Sequence, residues 1–123
     1  MNANNRFYFR LACLGLSLAV ALGAFGAHGL RGHVDERQLQ TFETAVRYQV
    51  YGCFGLQLAS LSGCLTTGAV RLLLLGVIIF SGSLYLIVFT GIRAFGAVAP
   101  LGGLMLIFGW IWLAAGAFAN EEG

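Results

Sequence analysis

Lysine is absent from this chain, and proline and aspartate occur once each. Charge of either sign is scarce, at 10% of residues against about 25% in ordinary soluble domains. Each shortage excludes something. Without lysine there is no Walker A loop, and no GxGxxG run stands in for it. Asp35 is the sole aspartate and lies outside every apolar run, so no Ser-His-Asp arrangement can be drawn. A net charge of +2 with no basic block argues against nucleic acid as a partner. So little polar surface also fails to cover the core of a soluble protein whose chain is 59% hydrophobic.

What the chain has is length without charge. Its charged residues separate four uncharged runs, Leu11–Leu30, Tyr48–Val70, Leu72–Ile92 and Ala94–Asn120, of 20, 23, 21 and 27 residues. A helix rising about 1.5 Å per residue crosses the roughly 30 Å hydrocarbon layer in about 20 residues. The pattern predicts an all-α polytopic membrane protein: one domain over residues 1–123, with four transmembrane helices in a compact bundle. The helices are expected at about 8–30, 35–65, 70–91 and 98–119.

Arg6 and Arg10 ahead of Leu11–Phe25, with Ala24-Phe25-Gly26 beyond, resemble a secretory signal and its cleavage site. The run continues uncharged to Leu30 and the rest of the chain is equally apolar, so the expectation is an uncleaved first helix. Gly29 and Gly32 offer an exit from it, and Asp35 suits an N-cap. Leu39, Phe42, Val46 and Val50 recur at helical spacing opposite Glu36, Gln40, Glu43 and Arg47. The first three turns of the second helix are therefore expected to be amphipathic. A short turn is expected at Thr66-Thr67-Gly68, and Pro100 fits the first turn of the fourth helix. Arg6, Arg10 and Arg71 fall on the side of the termini, against Arg31, Arg37, Arg47 and Arg93 on the other. That balance gives no orientation.

Small residues form rows: Gly15, Ala19, Gly23 and Ala27; Gly55, Ala59 and Gly63; Gly102, Gly109 and Gly116. In lipid, helices associate by close packing, so these rows predict contact faces, within the bundle or toward a second copy. Trp110 and Trp112 lie too deep for an interfacial belt and are expected to pack.

Few side chains offer chemistry. Glu43 and Arg47 stand four apart in the order that favours an ion pair, followed by Tyr48, Gln49 and Tyr51. Ionisable groups at membrane depth are functional candidates by default. His28 and His33 are five apart, the wrong spacing for HExxH, and His28 is expected to hydrogen-bond a neighbouring helix end. Cys13, Cys53 and Cys64 sit in apolar runs without CxxC and read as packing residues. Ser81, Ser83 and Tyr85 place hydroxyls mid-helix, able to bond back along the helix or across to a neighbour. The candidate polar cluster is His28, Glu43, Arg47, Tyr48, Gln49, Tyr51, Ser81, Ser83 and Tyr85. No catalytic, cofactor-binding or metal-ligating set is expected.

Four blocks carry a family resemblance: residues 21–30 (ALGAFGAHGL), 42–49 (FETAVRYQ), 80–85 (FSGSLY) and 100–103 (PLGG). In this order they resemble the domain of unknown function 423 family, which is related to eukaryotic transmembrane protein 256. The resemblance spans essentially the whole chain. It implies an uncleaved multi-pass protein of the bacterial inner membrane with both termini cytoplasmic, and brings no established activity. Two positions depart from the family pattern. Gly52 stands where the family usually has His, and Ala99 where it usually has Thr.

Three functional classes follow. One is a non-enzymatic packing, assembly or accessory membrane protein, whose partners are the bilayer and a homo-oligomer or larger complex. Another is a small transporter or lipid-handling protein using Glu43, Arg47, Gln49, Tyr51, Gln57, Ser81, Ser83 and Tyr85. A membrane enzyme is the least supported, since no nucleophile–base pair is visible.

Overall fold

The computed structural model describes residues 3–62 and 67–116. Four long helices follow one another: α1 (Ala3–Phe25), α2 (Glu36–Ser62), α3 (Thr67–Thr90) and α4 (Ala99–Gly116). A π-helical turn, Gly26–Leu30, continues α1, and a 3-10 turn, Arg93–Ala97, precedes α4. Gly63, Cys64, Leu65 and Thr66 lie outside the described residues, so the end expected for α2 near Leu65 does too. Thr67 and Gly68, expected in the turn, instead form the first turn of α3. Helix is the backbone state that satisfies its own polar groups in lipid, which favours extending it to the limit of the run.

Three stretches, Ala3–Leu30, Gly68–Thr90 and Arg93–Gly116, are long and apolar enough to cross a membrane. α2 is as long but more polar, and its polarity is sorted by face. Leu39 and Phe42 are buried while Glu36, Gln40, Glu43 and Arg47 are exposed, which gives the amphipathic entry. Deeper in, the polar side chains turn inward: Gln49 and Ser60 are buried. α2 packs along both α1 and α3, so it traverses the same layer as they do.

Asp35 and Gln38 start α2 with a reciprocal cap. The Gln38 amide donates to Asp35 Oδ1 at 2.7 Å, and the Asp35 amide donates to Gln38 Oε1 at 3.1 Å. Gly32, at φ +89°, lets the chain reverse between the π turn and this cap. Gly91, at φ +74°, ends α3 with its amide donating to the Ile87 carbonyl at 2.9 Å.

The helices pack in chain order: α1 on α2, α2 on α3, α3 on α4. Two apolar clusters result. One joins Ala12, Cys53, Leu56, Val70, Leu73 and Leu106. The other joins Leu30, Leu39, Phe42 and Val88 at the opposite end of α2. Leucine, isoleucine, valine and phenylalanine side chains on the outside, such as Leu14, Val20, Ile78 and Phe108, are exposed where lipid covers them.

The small-residue rows hold in part. A β-carbon added at Gly15 would stand 2.5 Å from Cys53 Sγ, and one at Gly55 2.9 Å from the Trp110 ring. Ala19 and Ala59 are buried. A β-carbon at Gly102 would meet the Phe80 backbone, and one at Gly109 the Leu73 side chain at 3.0 Å. Gly23 lies in ordinary contact with Val46. Two members leave their rows. Ala27 is exposed, because steps of four drift around a helix of 3.6 residues per turn and carry it about 120° from Gly15. Gly116 faces open space at the end of α4. Gly63 is outside the described residues.

Candidate functional site

Along α2, the side chains at Phe42, Ala45, Gln49 and Cys53 share one helical face by their spacing of three and four. That face meets α1 and α3, and Gln49 sits on it between the two apolar clusters, 6% exposed. Tyr85 of α3 donates its hydroxyl to Gln49 Oε1 at 2.7 Å. Gln49 Nε2 donates in turn to the Gly15 carbonyl of α1 at 2.8 Å. One side chain thus ties three helices. Ser81 adds a second tie, donating to the Ala45 carbonyl at 2.7 Å.

Gly15 makes the first bond possible. Cys53 occupies the space a side chain at position 15 would take, so α1 approaches α2 backbone-first there. Phe42 closes the layer on one side. Its ring is fully buried, with Tyr85 at 5.3 Å, Phe89 at 6.0 Å and Phe25 at 6.3 Å between centroids, all edge-on. Gly26 leaves room for it, since a β-carbon there would stand 2.8 Å from the Phe42 ring.

The nine candidate residues therefore divide. Gln49, Ser81 and Tyr85 converge. Ser83 is buried but donates back to the Ile79 carbonyl of its own helix. Tyr48 and Tyr51 turn the other way, with rings 5.2 Å apart and Tyr48 packed on Phe80 at 4.7 Å. Glu43 and Arg47 are exposed, and no ion pair joins them. At the outer end of α2 solvation competes with pairing, and the two long side chains gain little by holding one geometry. His28 is exposed on the π turn, with no hydrogen bond to a neighbouring helix end among the described residues.

One member of the layer escapes sequence reading altogether: the Gly15 acceptor is a backbone atom. Gln57, a pathway candidate in the sequence, instead donates to Cys13 Sγ at 3.1 Å across α1 and α2. Gly52 carries a further signal. It is buried where α2 meets α3, and any β-carbon there would overlap Val77. A histidine has no room at this position.

Two grooves open on the outside. One, of about 450 Å³, runs between α1 and α3 with α2 as its floor, lined by Leu14, Leu18, Cys53, Leu74, Ile78 and Gly82 among others. The other, of about 560 Å³, runs between α2 and α4 and is walled by Tyr51, Phe54, Ile107 and Trp110 over Gly103. Among the described residues no group of three or more His, Cys, Asp or Glu could hold a metal ion. All buried side-chain nitrogen and oxygen atoms described have hydrogen-bond partners.

Apolar helices of membrane-crossing length, an inward polar layer and a lipid-facing exterior define a multi-pass helical membrane protein. Residues 22–103 match the family model described as protein of unknown function (DUF423), and the chain belongs to that family. It is 40% identical over 117 residues to a UPF0382 membrane protein of Staphylococcus haemolyticus, covering 92% of this chain and 96% of the relative. It is likewise 40% identical over 120 residues to the UPF0382 membrane protein YwdK of Bacillus subtilis, covering 91% and 96%. A UPF0382 membrane protein of Haemophilus influenzae is 34% identical over 119 residues, with 94% and 96% covered. No solved structure matches the chain.

Proposed function

We propose that this protein is a non-enzymatic accessory protein of the bacterial inner membrane that holds a transmembrane helix of another protein in the α2–α4 groove. The observation that carries this reading is where the polar side chains go. Gln49, Ser81, Ser83 and Tyr85 spend their hydrogen bonds on helix–helix and within-helix contacts. Glu43 and Arg47 lie exposed on another face. A solute pathway needs polar groups with bonding capacity left over and in a line; the inward set has its bonds made, and Glu43 and Arg47 stand apart from it. The α2–α4 groove, in contrast, has aromatic walls and a glycine floor, the shape that rewards close van der Waals approach of another helix in lipid.

The inner membrane is supported by relatives named as membrane proteins in bacteria, including Bacillus subtilis and Haemophilus influenzae. Four traversals support both ends of the chain lying on one face, and the family resemblance supports the cytoplasmic side for them. A C-terminal green fluorescent protein fusion is then expected to fluoresce, and an alkaline phosphatase fusion to stay inactive.

Photo-cross-linking tests the groove. A photoreactive residue replacing Phe54 or Ile107 in intact membranes is expected to give one protein adduct, identified by mass spectrometry as a transmembrane protein. The purified protein in vesicles is expected to carry no solute flux. Adducts with lipid alone, or a flux that Glu43→Gln abolishes, would overturn the reading. An adduct with a second copy would replace the accessory role with self-assembly.

A further inference from the structure

The α1–α3 groove has a feature the other lacks: arginines at one end. A depression of about 480 Å³ at the start of α1 is bordered by Arg6, Phe7, Arg10, Leu11 and Leu14 among the described residues. Leu11 and Leu14 also line the α1–α3 groove, so the depression and the groove adjoin at these two residues. Arg6, Arg10 and Leu14 follow one another at four and border the same depression, which sets the two guanidinium groups before the apolar wall that begins at Leu14. On α3, Arg71 precedes Leu74 and Ile78 at helical spacing and is exposed at the same end. Among the described residues no carboxylate shares that end, since Asp35, Glu36 and Glu43 belong to the opposite one.

We propose that these adjoining surfaces bind one anionic phospholipid, its phosphate held by Arg6 and Arg10 and an acyl chain lying in the α1–α3 groove. Guanidinium groups pair with phosphate through several N–H donors at once, and basic pockets between membrane helices recognise anionic head groups in this way. The groove suits a chain. From Leu74 to Tyr85 it follows about 17 Å of helix rise, comparable to an extended acyl tail. Its lining offers hydrocarbon although it includes Gln49, Ser81 and Tyr85, because their polar atoms are bonded to one another and to the backbone. Depth agrees as well. Ala3–Leu30 is 28 residues long, so its first turns project beyond the hydrocarbon layer and place Arg6 and Arg10 at the head groups.

The alternatives on the molecule lack one half of this pairing. The α2–α4 groove has no basic lining residue. The hollow at the other end, near Arg37 and Arg93, sets Asp35 beside them and shares no lining residue with either groove.

Native mass spectrometry of the full chain tests the proposal, using protein extracted from mixed phosphatidylglycerol and phosphatidylethanolamine bilayers. The wild type is expected to retain one phosphatidylglycerol in preference to phosphatidylethanolamine. Arg6→Gln with Arg10→Gln is expected to reduce that preference by roughly tenfold, and lysine at both positions to restore part of it. Gly82→Leu is the second arm. Nothing lies within 4 Å of a β-carbon at Gly82, so the position accepts a side chain, and the leucine is chosen to carry that bulk into the groove. It is expected to lose the bound lipid of either class while a thermal melt shows no destabilisation. This arm also separates a lipid from free phosphate, which would not need the groove. Bound lipid that mirrors the bulk mixture, a preference that survives both glutamines, or retention in Gly82→Leu would overturn the proposal. So would cross-linking of Ile78 to a protein helix in place of lipid.

Discussion

Tyr85 and Gln49, 36 positions apart in the chain, meet through a 2.7 Å hydrogen bond at the junction of α1, α2 and α3. Because Gln49 passes a second bond to the Gly15 carbonyl, the three helices share one polar layer between two apolar clusters. The layer fixes register. Sliding either neighbour past α2 would strand an amide where no water reaches it.

A double-mutant cycle measures that bond. Tyr85→Phe and Gln49→Leu, singly and together, are expected to show a coupling of about 0.6 to 1.7 kcal/mol in reversible denaturation in micelles. Gln49→Leu is expected to cost more than Tyr85→Phe, since it also frees the Gly15 carbonyl. Additive single effects would show that the contact contributes nothing.

Glycines sort by what surrounds them. Gly52→Ala and Gly102→Ala push a β-carbon into Val77 and into the Phe80 backbone, and are expected to destabilise by about 1 to 3 kcal/mol. Gly82→Ala meets nothing within 4 Å and is expected to be neutral or to stabilise by up to about 1 kcal/mol. Thermal melts of the three purified variants make the comparison, and equal shifts would refute it.

The cap at the start of α2 is separable from the bundle. Asp35→Ala removes the acceptor of the 2.7 Å bond from the Gln38 amide and is expected to cost about 1 kcal/mol. Hydrogen exchange should quicken over the first turn after Glu36 and stay unchanged around Gln49. Faster exchange throughout α2 would mean that the cap also holds the bundle.

Gly91 is expected to resist substitution for a different reason. Its φ of +74° is a left-handed conformation that side chains rarely adopt, although nothing crowds the position. Gly91→Ala should cost about 1 to 2 kcal/mol, and Gly91→Asn clearly less. An alanine variant as stable as the wild type would mean the turn relaxes.

The helices were legible because lipid makes helix the one state open to a long uncharged segment, and the charges of this chain mark the intervals. The amphipathic entry of α2 was legible for the same reason: Leu39 and Phe42 against Glu43 and Arg47 is a pattern of period alone. The polar layer was legible only as a list. Sequence places Tyr48, Gln49 and Tyr51 together, but successive residues turn by about 100° around a helix, which sends Gln49 inward and the tyrosines to the other groove. Acceptors such as the Gly15 carbonyl carry no side-chain signal at all. Ala27 left its row because steps of four drift around a helix of 3.6 residues per turn, and the glycine that serves the contact is Gly26, one residue earlier.

Packing in chain order has a consequence for biogenesis. Each helix rests chiefly on the one made just before it, so a nascent segment leaving the translocon finds its neighbour already waiting. Docking can then keep pace with the ribosome, hairpin by hairpin, and no early segment has to stay unmatched until the last is synthesised.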